Sequence, residues 1–374
     1  MKHLFAGFLV LAFAGIIKGQ EIDSIHKMKL SGHSGDLECV AYSPTGKLMA
    51  TSGWDKVINV YKADTPDFGL KLLVLPGHLA AVSSLNFSRN GKYLVSAGKD
   101  YSVRIWNMDT PTITKVFNTL HTEVVTNAFV DGISLFSCSS DGTIKNTNMN
   151  DAKKSRVIKI GVAINDMAIS GDRKFIYVAV NGTGIRKVEI TGKEAGELVG
   201  HTDYVNALDM SLNGKLMASA SSDKTAIIWD MVTGKPLQIL KGHEWKVTSV
   251  KFSADGKYLV TGGNEGSVML WEVETGKLLK SFKGPGSNTR DVAFSTDASQ
   301  IAVATYLKND NFGSFVYNSG VVITKPVVPA KAIPAKGTPS KVTPAKGGNT
   351  NPANGQATQT KGGTTTPAII KAKN

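Results

Sequence analysis

Along the middle of the chain, apolar and polar positions alternate in a short figure that recurs. Four segments write it almost identically: YSPTGKLMA from Tyr42, FSRNGKYLV from Phe87, MSLNGKLMA from Met210 and FSADGKYLV from Phe252. An apolar run enters, a polar turn with glycine follows, and a second apolar run leaves, which is the pattern of a β-hairpin. The Asn-Gly and Asp-Gly pairs predict two-residue turns, since such turns need a positive φ that Gly and Asn adopt with little strain. Weaker copies stand at Asp131-Gly132, Gly171-Asp172 and Asp297-Ala298, so that seven short β-units are legible between Gly32 and Asn318.

A second mark precedes the strong hairpins. Gly-His occurs at Gly32-His33, Gly77-His78, Gly200-His201 and Gly242-His243, with Leu120-His121 as a variant. Twenty-two residues after these four Gly-His histidines come Asp55, Asp100, Asp223 and Glu265, and six residues later Tyr61, Trp106, Trp229 and Trp271. The period is roughly 41 to 46 residues, a length at which self-similarity announces a propeller. Unit three (His121, Asp141, Thr147) has lost its Trp, unit four lacks both His and Trp, and unit seven carries Tyr317 at the Trp place.

With these residues the chain resembles the WD40-repeat family over about Glu21 to Asn318, most strongly in units one, two, five and six. The resemblance implies an all-β fold, a seven-bladed β-propeller of four-stranded antiparallel blades. It also implies ring closure, with IDSIHKMKL supplying the outer strand of the last blade. In the family the repeated His bonds the turn Asp, a Ser or Thr and the strand Trp inside one blade. The matching sets are His33, Thr51, Asp55, Tyr61; His78, Ser96, Asp100, Trp106; His201, Ser219, Asp223, Trp229; and His243, Thr261, Glu265, Trp271. Repetition of one constellation in several blades points to structure, because a catalytic centre needs its converging residues only once. Trp54-Asp55 is therefore a turn Asp preceded by a tryptophan, not the terminal Trp-Asp of a repeat.

Composition adds two segments outside this core. Residues 1–19 begin with Lys2, continue as an apolar run from Leu4 to Ile17 and end near Gly19-Gln20, which reads as a secretory signal peptide. The run is shorter than the ~20 residues a membrane span needs, so the mature chain is expected to be secreted or periplasmic without a transmembrane segment. Residues 20–318 form the propeller. Residues 319–374 contain eight lysines and no Asp or Glu, against a whole-chain charge of +13. Poor in large apolar side chains, they are expected to be a disordered Pro/Ala/Lys/Gly/Thr-rich basic tail. Prolines 329, 334, 339 and 344 recur every five residues, each with a lysine two later. In polyproline II, at about 3.1 Å per residue, those lysines stand on the order of 15 Å apart, beyond a Debye length. That spacing fits weak, multivalent attraction to an acidic envelope polymer, or a solubilising spacer. Interleaved aromatics for base stacking are absent, so no specific nucleic-acid partner is expected.

Chemistry elsewhere is sparse. Cys39 and Cys138 sit in apolar runs without zinc spacing and read as small buried hydrophobes. There is no Gly-x-Ser-x-Gly elbow, no His-Glu-x-x-His and no phosphate-binding loop, so neither catalytic residue, metal nor cofactor is expected. The inner strands (ECVAYS, SSLNFS, NALDMS, TSVKFS) offer few ionisable groups to a central channel. Residues the fold does not use are the binding candidates: Trp54, Trp245 and Tyr204 in turns, with the turn cations Lys99 and Lys246. Asp36, Glu123 and Asp203 are the acids beside them. The reading is a non-enzymatic interaction scaffold, monomeric by itself, holding a protein or peptide on its loop face. The alternatives are an exported hydrolase or lyase acting on sugars or lactones, and a structural subunit of an envelope or secretion assembly.

Overall fold

Among the described residues, twenty-eight strands group into seven four-stranded sheets. The computed structural model describes residues 27–321 apart from positions 66, 111, 119, 285 and 308–312. The signal-peptide reading of residues 1–19, and the tail beyond position 321, lie outside the described residues.

Every sheet is antiparallel, and its strands follow chain order from the inner to the outer edge, except at the closure. The inner strands are Leu37–Tyr42, Val82–Phe87, Val125–Asp131, Ile164–Ile169, Val205–Met210, Val247–Phe252 and Asn288–Phe294. Each packs beside the next, and the last returns to the first, so the blades form the closed seven-membered ring that the family resemblance implies. Blade seven takes its outer strand from the other end of the fold. Lys27–Leu30 pairs antiparallel with Ser314–Asn318, in a register that sets Met28 opposite Val316 and Leu30 opposite Ser314. Closure of this kind leaves each blade with only a short outer-strand edge.

Burial explains the composition of each strand. The second strands, such as YLVSAG and LMASAS, are buried along almost their whole length, because both of their faces meet neighbouring sheets. The outer strands, such as EAGEL, are exposed except at one end. The core consists of layers between blades. In one layer Ala50, Ile58 and Val60 of blade one pack on Val82, Leu85, Leu94 and Trp106 of blade two. Cys39 and Cys138 are free and buried, and burial pushes both thiols well above their ordinary pKa.

Two sequence expectations are modified. The strong hairpins are not two-residue turns: Ser43 to Lys47 separate their strands in blade one, where Gly46 N donates to Ser43 O at 2.9 Å and Ser43 N to Leu48 O at 2.8 Å. Only the glycine is left-handed, at Gly46, Gly91, Gly214 and Gly256. The preceding Asn works through its side chain, as where Asn90 Oδ1 accepts from Ser88 Oγ and Lys92 N. Serine and asparagine side chains stand in for backbone partners and so stabilise a longer loop. Second, Ser319 to Val321, placed in the tail by composition, are still tied to blade seven. Ser319 N donates to Ser299 O, Ser319 Oγ donates to Ala298 O, and Val321 packs on the adjoining core.

Candidate functional site

The repeated histidines are consumed inside their blades. In blade five His201 Nδ1 lies 2.8 Å from Asp223 Oδ2 and Nε2 lies 2.7 Å from Ser219 Oγ, while Trp229 Nε1 donates to that Oγ at 2.8 Å. An ionised carboxylate can only accept, so Nδ1 carries the proton and the relay runs Trp229 to Ser219 to His201 to Asp223. Blade two repeats it through Trp106, Ser96, His78 and Asp100, and blade six through Trp271, Thr261, His243 and Glu265. Burial alone would raise the acids' pKa. The histidine and nearby hydroxyl and amide donors outweigh it, holding Asp100 and Asp223 low and Glu265 at about 2. Burial lowers His201 and His121 in turn.

Blades one and three depart from this set at the Trp place. His33 reaches Asp55 and Thr51, both at 2.7 Å, and the Tyr61 hydroxyl donates to Ser31 O at 3.0 Å. In blade three His121 reaches Asp141 and Ser137, and Thr147 turns to Ser155.

The inner strands enclose a central channel of about 510 Å³. Its walls overturn the expectation of few ionisable groups, for Glu38, Asp166, Asp209, Lys251, Arg290 and Asp291 all line it. They escaped notice because Glu38, Asp209 and Lys251 stand singly between apolar neighbours, while Asp166, Arg290 and Asp291 lie in inner strands of the weakly marked units, and only the sevenfold arrangement adds them up. Most act at seams between blades. Asp166 Oδ2 accepts Leu208 N at 2.8 Å, Asp209 Oδ2 accepts Phe252 N at 2.8 Å, and Asp291 Oδ2 accepts Val40 N at 3.1 Å. Lys251 Nζ bonds Asp209 at 3.2 Å. Burial raises Asp166 to about 6, even against these donors. Burial would lower Lys251, but Asp209, Asp291 and Asp166 together raise it, so it stays charged. Among the described residues no group of three or more His, Cys, Asp or Glu is placed to hold a metal ion.

At the loop-face mouth of the channel, blades seven, one and two meet around Glu38. Its Oε1 accepts from Trp54 Nε1 at 2.8 Å, the Tyr306 hydroxyl at 2.8 Å and Lys99 Nζ at 3.0 Å. Its Oε2 accepts from Arg290 Nε at 3.0 Å and Nη2 at 2.8 Å. Burial would raise Glu38, but Arg290, Tyr306 and Lys99 prevail and keep its pKa below the ordinary value. Lys99 Nζ stacks 4.1 Å from the Trp54 ring centroid and the Arg290 guanidinium 5.1 Å from that of Tyr306, distances at which cation–π attraction operates.

Two of the five sequence candidates, Trp54 and Lys99, are thus brought together. Trp54 remains 50% exposed, Tyr204 52% and Trp245 61%. Tyr204 lies in a loop of blade five, and Trp245 and Lys246 in one of blade six. No bond or ring contact joins them to the Trp54 cluster among the described residues. Glu38, Arg290 and Tyr306 were missed. The signal for Glu38 and Arg290 was the bulged inner-strand position, which they occupy in two blades and Ser83, Thr126, Asn165, Asn206 and Thr248 occupy in the other five; Tyr306, at the end of its strand, carried no such signal.

The profile of the WD domain, G-beta repeat matches residues 24–62, 69–107, 192–230 and 234–272. These are blades one, two, five and six, each reached from the outer strand before it. The chain is 27% identical over 115 residues to U3 small nucleolar RNA-associated protein 21 of Saccharomyces cerevisiae, which covers 30% of this chain and 12% of that protein. Against the Schizosaccharomyces pombe homologue identity is 28% over 117 residues, covering 30% and 13%. Against autophagy-related protein 16 of Arabidopsis thaliana it is 31% over 102 residues, covering 26% and 20%. The chain thus spans a fifth or less of the length of these relatives.

Proposed function

We propose that this chain, a WD40-repeat seven-bladed β-propeller, works as a non-enzymatic scaffold that holds a protein or peptide partner on its loop face. WD40 propellers typically serve as protein-interaction scaffolds, and the relatives in yeast and plant are compatible with that role without naming a partner for this chain. One observation carries the reading. The ionisable groups that could do chemistry are engaged in holding blades together, whereas three large aromatics on loops, Trp54, Tyr204 and Trp245, are half exposed or more. Exposed Trp and Tyr are the residues from which interface hot spots are built. Trp54 is also held in place by its indole N–H, and a rigid aromatic anchor loses little conformational freedom on binding.

In this reading the scaffold operates outside the cytoplasm, after export directed by residues 1–19, and its lysine-spaced tail tethers it to acidic envelope polymer. The experiment is affinity capture from the cell-envelope fraction at low and high salt. The baits are the chain from residue 20 to 374, the same chain stopped at 321, and a Trp54→Ala/Trp245→Ala variant. A partner that survives salt and tail removal, and is lost by the double variant at unchanged melting temperature, supports the loop-face scaffold. Capture that vanishes with salt or with the tail, or that ignores both tryptophans, removes the loop face from the account.

A further inference from the structure

Seven seams join the inner strands, and five are sealed alike. Ser83 Oγ donates to Val125 O, Thr126 Oγ1 to Ile164 O, Asn165 Nδ2 to Val205 O, Asn206 Nδ2 to Val247 O and Thr248 Oγ1 to Thr289 O. In each, the bulged residue of one inner strand caps the carbonyl of the residue just before the bulge in the next. A ring that needed only to be sealed would carry a short donor at all seven positions. At the two remaining seams, side by side, stand Arg290 and Glu38, which bond one another instead. This break in the sevenfold repetition lies under Trp54, the half-exposed indole.

The chemistry of the break favours one sign of ligand. Glu38 accepts from five donors, at or beyond the capacity of a carboxylate, and offers nothing further to a cation. Lys99 spends one bond on Glu38, and Arg290 spends Nε and Nη2 on a single oxygen. Their other N–H groups have no acceptor among the described residues, and both side chains line the mouth. At the break itself two cations share one carboxylate, and the neighbouring acid Asp36 spends Oδ1 on Leu307 N. The acids deeper in the channel are occupied by seam amides and by Lys251. Beside the cations, the Trp54 ring, fixed by Glu38 and Tyr306, provides a flat apolar wall for a methylene chain.

We propose that this mouth binds the carboxylate of an aspartate or glutamate side chain within a peptide segment laid across the loop face. The acid is held by Lys99 and Arg290, and its carbon chain packs on Trp54. The proposal rests on the scaffold reading above and names the chemistry of its partner. Charge-assisted hydrogen bonds of this type are about twice as strong as neutral ones, so the preference for acid is large enough to measure on short peptides.

The test follows the indole N–H resonances of the full chain at physiological salt. The probes are pentapeptides capped at both ends, Gly-Ala-X-Ala-Gly with X as Glu, Gln or Lys, and the Gln peptide with a free C-terminus. The glutamate peptide should shift the Trp54 signal saturably while the buried Trp106, Trp229 and Trp271 signals stay fixed, and the capped Gln and Lys peptides should not. Lys99→Gln, which leaves Glu38 with Arg290, Trp54 and Tyr306, should weaken the glutamate peptide at least fivefold with the melting temperature retained. Because the tail lysines are identical in both proteins, they cannot produce that difference. Equal binding of the Lys or Gln peptide, preference for the free C-terminus, or indifference to Lys99→Gln overturns the proposal. If the glutamate peptide fails while the capture experiment still yields a tryptophan-dependent partner, acid recognition is wrong and the scaffold stands. If it binds as described and capture yields nothing, the mouth chemistry stands and the scaffold reading falls.

Discussion

Asp166 shows how one side chain reports on the ring. It sits on the channel wall and accepts from Asn127 Nδ2, Met167 N and Leu208 N, yet burial holds its pKa near 6 against an ordinary 3.8. A carboxyl whose folded pKa is raised adds stability below its unfolded pKa and loses it as pH rises through the folded one. The contribution of Asp166 therefore declines between about pH 4 and pH 6. The residue is only partly buried, which keeps the effect on the order of 1 kcal/mol. Urea melts across that window should show wild type losing stability relative to Asp166→Asn as pH rises, and a constant difference would refute the assignment. The His-paired acids behave oppositely: Glu265, at about 2, contributes above its unfolded pKa, and that stability is lost as pH falls below ~4. At this scale the sequence was legible wherever residue type and spacing repeat, as with His201, Ser219, Asp223 and Trp229. It was silent where a residue matters through a partner far along the chain, as Glu38 does through Arg290 and Tyr306.

Among elements, the hairpins repay comparison, because the same motif meets different surroundings. Gly214 and Gly256 occupy equivalent turns with φ of 69° and 72°. A Cβ on Gly214 would press on the backbone of Gly171 in the neighbouring blade, whereas one on Gly256 meets nothing within 4 Å. Gly256→Ala should cost about 1 kcal/mol from left-handed strain alone. Gly214→Ala adds a backbone collision and should cost about 1–3 kcal/mol more. Chemical melts of the two variants, with equal losses as the refuting result, decide it. The hairpins themselves were readable from the nonapeptides, but their loop length was not. Asn-Gly specifies a left-handed glycine, while the serine before it, bonding across the loop as Ser43 Oγ does to Leu48 N, selects the wider turn.

For the propeller as a whole, stability depends on a strand of four residues. Leu30 is buried among Leu37, Met49, Ala302 and Val316, so Lys27–Leu30 locks blade seven and blade one at once. Removing residues 1–30 should lower the melting temperature by several degrees and expose Ser314–Asn318 as an unpaired edge. Sedimentation should then show self-association. A truncated chain that stays monomeric at the original melting temperature would mean that the ring closes without this strand. The seven blades and this closure were foreseeable from the period and the family resemblance. The channel charge was not, since it emerges only when seven inner strands are set around one axis.

The pairing of Met28 with Val316 also has a meaning in time. Every other strand pairs with partners next to it in sequence, and such contacts form quickly because the loops to be closed are short. The last sheet joins segments separated by almost the entire domain. During synthesis the first strand must wait, unpaired, until its mate has been made. Six blades can assemble while the seventh is represented only by its outer strand, and the ring closes once the three remaining strands have been made. On this topology the open horseshoe, in which Lys27–Leu30 has yet to meet Ser314–Asn318, is the species to look for during refolding.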